Sequence, residues 1–294
     1  MCCAINKIDE KAYAKLNISL DVISRREDGY HDMCMVMQTV SLYDDVSVSL
    51  RNDGITSINT NLHYLPCDDR NIAAKAAKAF LAKSGNSKYG ADIKIKKRIP
   101  VCAGMGGGSS DGAAVLRALN ILTGKPFNRT ELEELGNTLG ADIPFCVAGG
   151  TSLAEGKGEI LTDLLPLPQC HIVIAKPKFS VSTPELFSKI DLYTVKYHPD
   201  TQGIVSAINC GNLKGVCQRM YNVFENVLPP KPDDIALIKS AFLDLGALGT
   251  LMTGTGSAVF GIFDDEQAAK ESHTYLARQY VDVFHAVPQN RLDI

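Results

Sequence analysis

Three glycine-rich segments mark where this chain could do chemistry: GMGGGSSD at 104–111, LGADIPFCVAGG at 139–150 and TGTGSA at 253–258. Glycine reaches φ > 0 without a Cβ penalty and lets backbone N–H groups come close to a ligand. In the first segment Gly104, Gly106, Gly107 and Gly108 lead directly into Ser109 and Ser110. Val115, Leu116, Leu119 and Leu122 then recur at helical spacing, and the preceding IKIKKRI alternates as a half-buried strand does. A helix entered this way presents free N–H groups and a partial positive charge. Ser109 or Ser110 could cap it and offer a hydroxyl. The chemistry of such a loop is the cradling of phosphate oxygens. A glycine cluster alone reads equally well as a flexible surface loop; the strand–loop–helix order favours phosphate. No GxxxxGK[ST] string is present, and Ser109 falls where a Rossmann loop needs its last glycine. Three such loops in one chain suggest a composite site for a polyanion.

A polyanionic ligand needs local positive potential and groups that position it. Lys15 and Asn17 share one side of an alternating strand over 14–22, although lysine in that setting is ordinarily solvated surface. Asp142, between GA and IP, reads on spacing alone as a turn or cap residue. Lys97 and Arg98 precede Pro100 and the glycine loop, where they and the helix start could supply positive potential. Tyr30 and His31 follow a DG turn signal. Ser182, Thr183, Pro184 and Glu185 form a helix-start pattern, with Phe187 on its apolar side, and Asn71 opens another helix.

The positioning elements follow from the pattern. Strands are expected over 14–22, 33–40, around 46–50 and over 92–99, with a polar surface stretch at 51–71 and a helix over 71–83. After the loop helix, Thr130 and Glu133 stand in capping-box positions for a helix ending near Gly140. Pro166 and Pro168 mark a boundary, giving lobes 1–165 and 166–294. The second lobe reads β-α-β-β-α-β with extra helices, a ferredoxin-like order interrupted by Pro229, Pro230 and Pro232.

The chain has 294 residues, enough for two lobes. A net charge of −3 argues against a nucleic-acid or membrane surface, and no apolar run reaches the length of a membrane span. The N-terminus lacks the apolar core of a secretory signal, so a cytoplasmic location is the default expectation. Nine cysteines without CxxC or zinc-ligand spacing are expected to be reduced. Cys34, Cys102, Cys146 and Cys170 read as small core hydrophobes, and Cys2-Cys3 as an exposed pair.

Taken together, AYAKLNISL, PVCAGMGGGSSDGAA and LMTGTGSAVFGIF resemble the three signature motifs of the GHMP small-molecule kinases. REDGYHDM, LGADIPFCVAGG and AEGKGE are similar to the branch that phosphorylates CDP-methylerythritol in non-mevalonate isoprenoid biosynthesis. The likeness covers about residues 11 to 263. It implies an α+β kinase fold, with an N-terminal lobe like domain 2 of ribosomal protein S5 and a ferredoxin-like C-terminal lobe. It further implies transfer of the ATP γ-phosphoryl to the tertiary 2-hydroxyl of the methylerythritol. By the resemblance, Asp142 is the base and Lys15 the cation beside it. Asn71, Lys97, Pro100, Gly104, Gly106, Gly107, Gly108, Ser109 and Ser110 bind ATP, Ser110 facing Mg2+ as well. Asn17, Tyr30, His31, Thr183, Pro184, Phe187, Gly254, Thr255 and Gly256 form the substrate side. Tyr30 is expected to stack on the cytosine and His31 to bond its edge. The implied partners are ATP, Mg2+ and a small molecule, with a monomer or weak homodimer and neither nucleic acid nor membrane. Mevalonate or homoserine kinases, and a non-catalytic nucleotide sensor, are the competing readings; DGYH and LGADIP oppose the first pair, and retention of Lys15 with Asp142 opposes the last. Asp111 departs from the pattern, since related sequences often carry Asn there. An acid in that position must point away from the phosphates or weaken ATP binding.

Overall fold

The computed structural model describes residues 6–228 and 233–294. Cys2, Cys3 and the prolines at 229, 230 and 232 lie outside the described residues.

The N-terminal half is built on a long antiparallel hairpin, β1 (Lys7–Arg25) and β2 (His31–Arg51). The two short strands expected over 33–50 are one continuous strand, because β2 pairs along its length with β1 and then with two other partners. Those partners are β4 (Gly90–Lys96) and β5 (Thr151–Gly156). β3 (Ser57–Thr60) adds to β4 in parallel and β6 (Ile160–Asp163) to β5, completing a six-stranded sheet. β3 lies inside the stretch read as polar surface; its four residues bury Ile58 and Thr60, too short a run for alternation to reveal. β1 pairs with β2 alone among the named strands of the described residues, and register shifts at Tyr13/Lys15 and Asn17/Ser19 bracket Lys15 and Asn17. Such irregularities re-aim side chains. Here the expected solvated face of β1 is buried: Lys15 is 4% exposed and Asn17 0%.

The helices of this half are α1 (Ile72–Lys83), α2 (Gly107–Leu122), α3 (Arg129–Asn137) and α4 (Ile143–Ala148). α2 is central, buried continuously from Ser110 to Asn120. Its buried polar members, Ser110, Asp111, Arg117 and Asn120, each find a partner within the core. A Cβ on Gly112 would come within 2.9 Å of Ile72, so glycine there lets α1 lie close. The cap of α3 differs from expectation. Asn128 and Glu131 form the capping box, two residues ahead of Thr130 and Glu133. Asn128 has the extended backbone an N-cap needs.

The chain passes into a four-stranded antiparallel sheet of β7 (His171–Lys176), β8 (Gly249–Met252), β9 (Val259–Phe263) and β10 (Asp282–Ala286), ordered β10-β7-β9-β8. That order, with helices α5 (Thr183–Ile190), α6 (Thr201–Asn209), α7 (Leu213–Cys217), α8 (Asp233–Asp244) and α9 (Glu266–Leu276), is the expected ferredoxin-like one. Ala14, Leu16 and Ile18 of β1 share one apolar cluster with Ile172, Ile174, Phe260 and Ile262 of the second sheet. Cys146, Cys170 and Cys217 are buried, which pushes each thiol up to about 12. Cys102, expected in the core, is exposed, because it lies on the glycine loop at φ 53.

Candidate active site

The elements meet at a cleft of about 610 Å³ between the two sheets. Lys15 and Asn17 of β1, the glycine loop and the residue ahead of α4 form one side. The start of α5 and the turn between β8 and β9 form the other.

Asp142 occupies the N-cap position of α4, yet its side chain makes no capping bond. The carboxylate is 3.6 Å from Lys15 Nζ and 35% exposed, so it is open to the cleft. Lys15 Nζ donates to Asn17 Oδ1 at 2.8 Å, and its backbone N–H bonds the Met105 carbonyl at 3.0 Å. The lysine is therefore tied to the glycine loop through its backbone and to the carboxylate through its side chain. The sequence separates Lys15 and Asp142 widely; the β1–β2 hairpin and α4 bring them together.

The loop's geometry explains its glycines. Gly106 caps α2 at φ 66, and a Cβ there would sit 3.0 Å from Lys15 Cγ. Neither serine is the cap, which corrects the expectation. Gly106 O accepts the first helical bond, from Ser110 N–H at 2.8 Å, so the N–H groups of Gly107, Gly108 and Ser109 lie ahead of the ladder. Ser109 lines the cleft. Ser110 does not: it is 1% exposed and its hydroxyl donates to Tyr13 O at 2.6 Å. Its place one residue deeper in the helix turns it onto β1.

A second cavity of about 460 Å³ adjoins the first, sharing Cys102 and lined by Lys97, Arg98 and Pro100. Lys97 is 8% exposed and bonds Asp44 and Asp111, the latter at 2.6 Å. Burial works against its charge, but Asp111 and Asp44 more than offset this and raise its pKa. Arg98 bonds Asp45 and lies over the Tyr43 ring. Neither is the free cation the sequence suggested, because each has an acid partner from β2. Asp111 is 5% exposed and its Oδ2 accepts from Lys97 Nζ at 2.6 Å. Asn71 lines neither cavity. Its Oδ1 caps α1 by accepting from Ala73 N–H at 3.0 Å, and its Nδ2 donates to Pro66 O. Gly107 and Gly108 also line neither.

On the other side, Thr183, Pro184, Phe187, Gly254, Thr255 and Gly256 all line the cleft. The Thr183 and Thr255 hydroxyls are 2.8 Å apart, joining the start of α5 to the TGTGSA turn. Tyr30 is 58% exposed at the mouth. His31 is not among the lining residues. It stacks on Phe187 at 4.7 Å, and its Nε2 is 2.7 Å from Asp191 Oδ1.

Two lysines were not singled out from the sequence. Lys157 lines the cleft with its ammonium 4.9 Å over the Tyr30 ring. Lys176 lines the second cavity, its Nζ donating to the Pro177 and Phe179 carbonyls. Neither forms an ion pair among the described residues. AEGKGE was noted as a motif, so Lys157 was within reach; nothing local distinguishes Lys176.

Residues 71–150 match the GHMP kinases N terminal domain and residues 204–282 the GHMP kinases C terminal domain. The chain belongs to the GHMP kinases. Within that family it is similar to the 4-diphosphocytidyl-2-C-methyl-D-erythritol kinase of Clostridium botulinum (strain Alaska E43 / Type E3), 45% identical over 94% of this chain and 98% of the relative. Against the kinase of the same name from Clostridium novyi (strain NT) it is 44% identical, over 93% and 97%. A crystal structure of 4-(cytidine 5'-diphospho)-2C-methyl-D-erythritol kinase superposes with a TM-score of 0.78 at 30% identity, covering 96% of this chain and all of that one (100%). A Cytophaga hutchinsonii homoserine kinase, TM-score 0.75 at 20% identity over 99% of this chain and 97% of that one, shares the fold.

Proposed function

We propose that the chain transfers the γ-phosphoryl group of ATP to the 2-hydroxyl of 4-diphosphocytidyl-2-C-methyl-D-erythritol, giving the 2-phosphate and ADP, a step in non-mevalonate isoprenoid precursor biosynthesis. The observation that carries the reading is the Lys15–Asp142 pair at 3.6 Å, on the cleft wall beside the start of α2. Similarity to named kinases of this substrate across nearly the whole chain supports the substrate assignment.

Asp142 takes the proton of the attacking hydroxyl as the bond to phosphorus forms, then loses it to solvent through its exposed side. The bond from phosphorus to the bridging oxygen breaks, and the electron pair leaves with ADP. Lys15 balances charge on the carboxylate and on the transferred group. It is held in place by Asn17 and by the Met105 carbonyl. The N–H groups at the start of α2 receive the phosphate oxygens. Tyr30 and Phe187 offer aromatic faces for the cytosine. Lys157 lies beside them to meet the diphosphate.

Among the described residues no group of three or more His, Cys, Asp or Glu side chains could cage a metal. On this reading Mg2+ would be held chiefly by nucleotide phosphates and water. Of the two loop serines Ser109 is the one on the cleft wall, and the Ser110 hydroxyl is committed to the Tyr13 carbonyl. When bound, the ion supplies neutralisation of phosphate charge. Among the described residues no helix is long and apolar enough to cross a membrane. On the same reading the chain works in the cytoplasm as a monomer or weak homodimer, without nucleic acid, which the net charge of −3 supports. A coupled assay of ADP release across CDP-methylerythritol, mevalonate and homoserine tests the proposal. Turnover confined to the first is expected; turnover of mevalonate with none of the first would overturn it.

A further inference from the structure

Three elements far apart in the chain carry the working parts of the cleft: α2 the glycine loop, β1 Lys15, and the start of α4 Asp142. One buried side chain joins all three. Arg117, on α2 and 4% exposed, donates from Nη1 to the Cys146 and Val147 carbonyls of α4 at 2.9 and 3.2 Å. Its Nη2 donates to the Lys11 carbonyl of β1 at 3.0 Å, and its Nε to Glu10 Oε2 at 2.9 Å. Arg117 lines neither the cleft nor the second cavity, so it is not a ligand of either.

The bonds to α4 complete a short helix. Six residues leave the last carbonyls without helical partners. The Phe145 carbonyl accepts Gly149 N–H and the Ala148 carbonyl accepts Leu292 N–H, while Cys146 and Val147 are met by Arg117. Cys146 in turn donates its N–H to the Asp142 carbonyl at 3.2 Å. A single residue therefore links the guanidinium to the base. On the other arm, Lys11 lies four residues before Lys15, and the Ser110 hydroxyl bonds Tyr13 between them. Ser110 and Arg117 are seven residues apart on α2, a spacing that returns to one helix face. The four acceptors diverge, which suits the fixed fork of a guanidinium; lysine gathers its donors on one nitrogen.

We propose that Arg117 is a positioning residue for phosphoryl transfer: it locks α2, β1 and α4 together and so sets the Lys15–Asp142 separation beside the phosphate loop. The proposal rests on the reading of that pair as the base and its cation. Without the guanidinium, α4 loses two of its carbonyl partners and its tie to β1, and Asp142 moves with it. A misplacement of about 1 Å costs up to about a hundredfold in rate. The start of α5 and the TGTGSA turn, on the opposite side of the cleft, keep their contacts.

Arg117→Ala is compared with wild type by coupled ADP release with CDP-methylerythritol, well below the melting temperature of either protein. The expected result is a kcat lower by about tenfold to a hundredfold, with KM for ATP and for the CDP substrate within about threefold of wild type. Arg117 shares a cavity of about 150 Å³ with Glu10, Asn120 and Leu292, which leaves room for a small cation at the vacated place. Methylguanidinium should therefore restore kcat of the variant in a saturable way and leave wild type unchanged, whereas methylammonium, with the charge but not the fork, should not. A kcat equal to that of wild type, a loss confined to KM, or equal responses to the two cations overturns the proposal. A merely structural role would lower the melting temperature and spare kcat of the folded enzyme. Should Arg117→Ala fail to fold, Arg117→Lys is read in its place: a lower kcat at steady KM supports the proposal, and an unchanged kcat overturns it. A wild type inactive on the CDP substrate would sink the kinase reading and this inference together, whereas an active wild type beside an unimpaired variant sinks the inference alone.

Discussion

Replacing Asp142 by Asn isolates the proton-accepting step from everything else the residue could do. The side chain makes no capping bond to α4, so the substitution removes no helix cap. Its contact with Lys15 at 3.6 Å is worth about 1 kcal/mol if fully screened by water, and about 4–5 kcal/mol at an effective dielectric constant near 20. With 35% of the carboxylate in solvent, the lower end applies. Asn also retains an oxygen for Lys15. The loss in folding stability should therefore be about 1 kcal/mol or less, a few degrees in Tm at most. Loss of the base should cost about 10²–10⁴ in rate. At 1.36 kcal/mol per decade, that is roughly 3–5.5 kcal/mol of transition-state stabilisation. The two magnitudes are far enough apart to separate the roles. The assay is kcat by coupled ADP release with CDP-methylerythritol, beside the Kd for ATP and a melting curve on the same preparation. The expected result is a collapse in kcat with Tm and ATP affinity nearly unchanged. A kcat within about tenfold of wild type would refute the base assignment. An equal loss of ATP affinity would make Asp142 a nucleotide ligand instead.

Four further substitutions probe the rest of the cleft. Ser110→Ala should cost stability, about 1–3 kcal/mol for stranding the Tyr13 carbonyl, and leave the Mg2+ requirement as it was. Ser109→Ala should spare stability and raise the Mg2+ concentration for half-maximal rate; the reverse pattern in melting and metal titrations would restore Ser110 as the metal-facing hydroxyl. Gly106→Ala places a side chain at φ 66, costing about 1–2 kcal/mol, and presses on Lys15 Cγ at 3.0 Å. Both Tm and kcat should fall, and an unaltered kcat would mean that Lys15 tolerates displacement. Lys157→Ala removes a cation–π contact worth about 0.5–1 kcal/mol, which predicts a two- to fivefold rise in KM for the CDP substrate at constant kcat. A change confined to kcat would place Lys157 in the transfer step.

Period and punctuation carried most of the architecture. α1, α2 and the ferredoxin-like order were legible because their apolar spacing and glycine stops are local signals. What failed was set by distant partners. β2 reads as two strands until its hairpin with β1 joins them. Lys15 reads as solvated surface until the glycine loop covers it. The choice between Ser109 and Ser110 depends on which of two adjacent helical positions faces β1, and it was decided by a cap at Gly106 that carries no side chain. Asn71 shows the same limit from the other side. Its type fits both a cap and a ligand, and the structure commits it to Ala73 and Pro66. Lys97 could not be discounted as a free cation without knowing that Asp44 lies beneath it.

The floor of the cleft is a seam of main chain. A Cβ on Gly104 would fall 2.1 Å from the Thr253 carbonyl oxygen, and one on Gly254 2.8 Å from that of Gly104. Ala258 N–H bonds the Ala103 carbonyl at 3.2 Å alongside. Backbone lodged against backbone leaves no room for a side chain at this depth. The glycine loop is thus held jointly, like a vault closed by stones from both sides. A loosening of the small sheet, however remote from the glycine loop, reaches it through that seam.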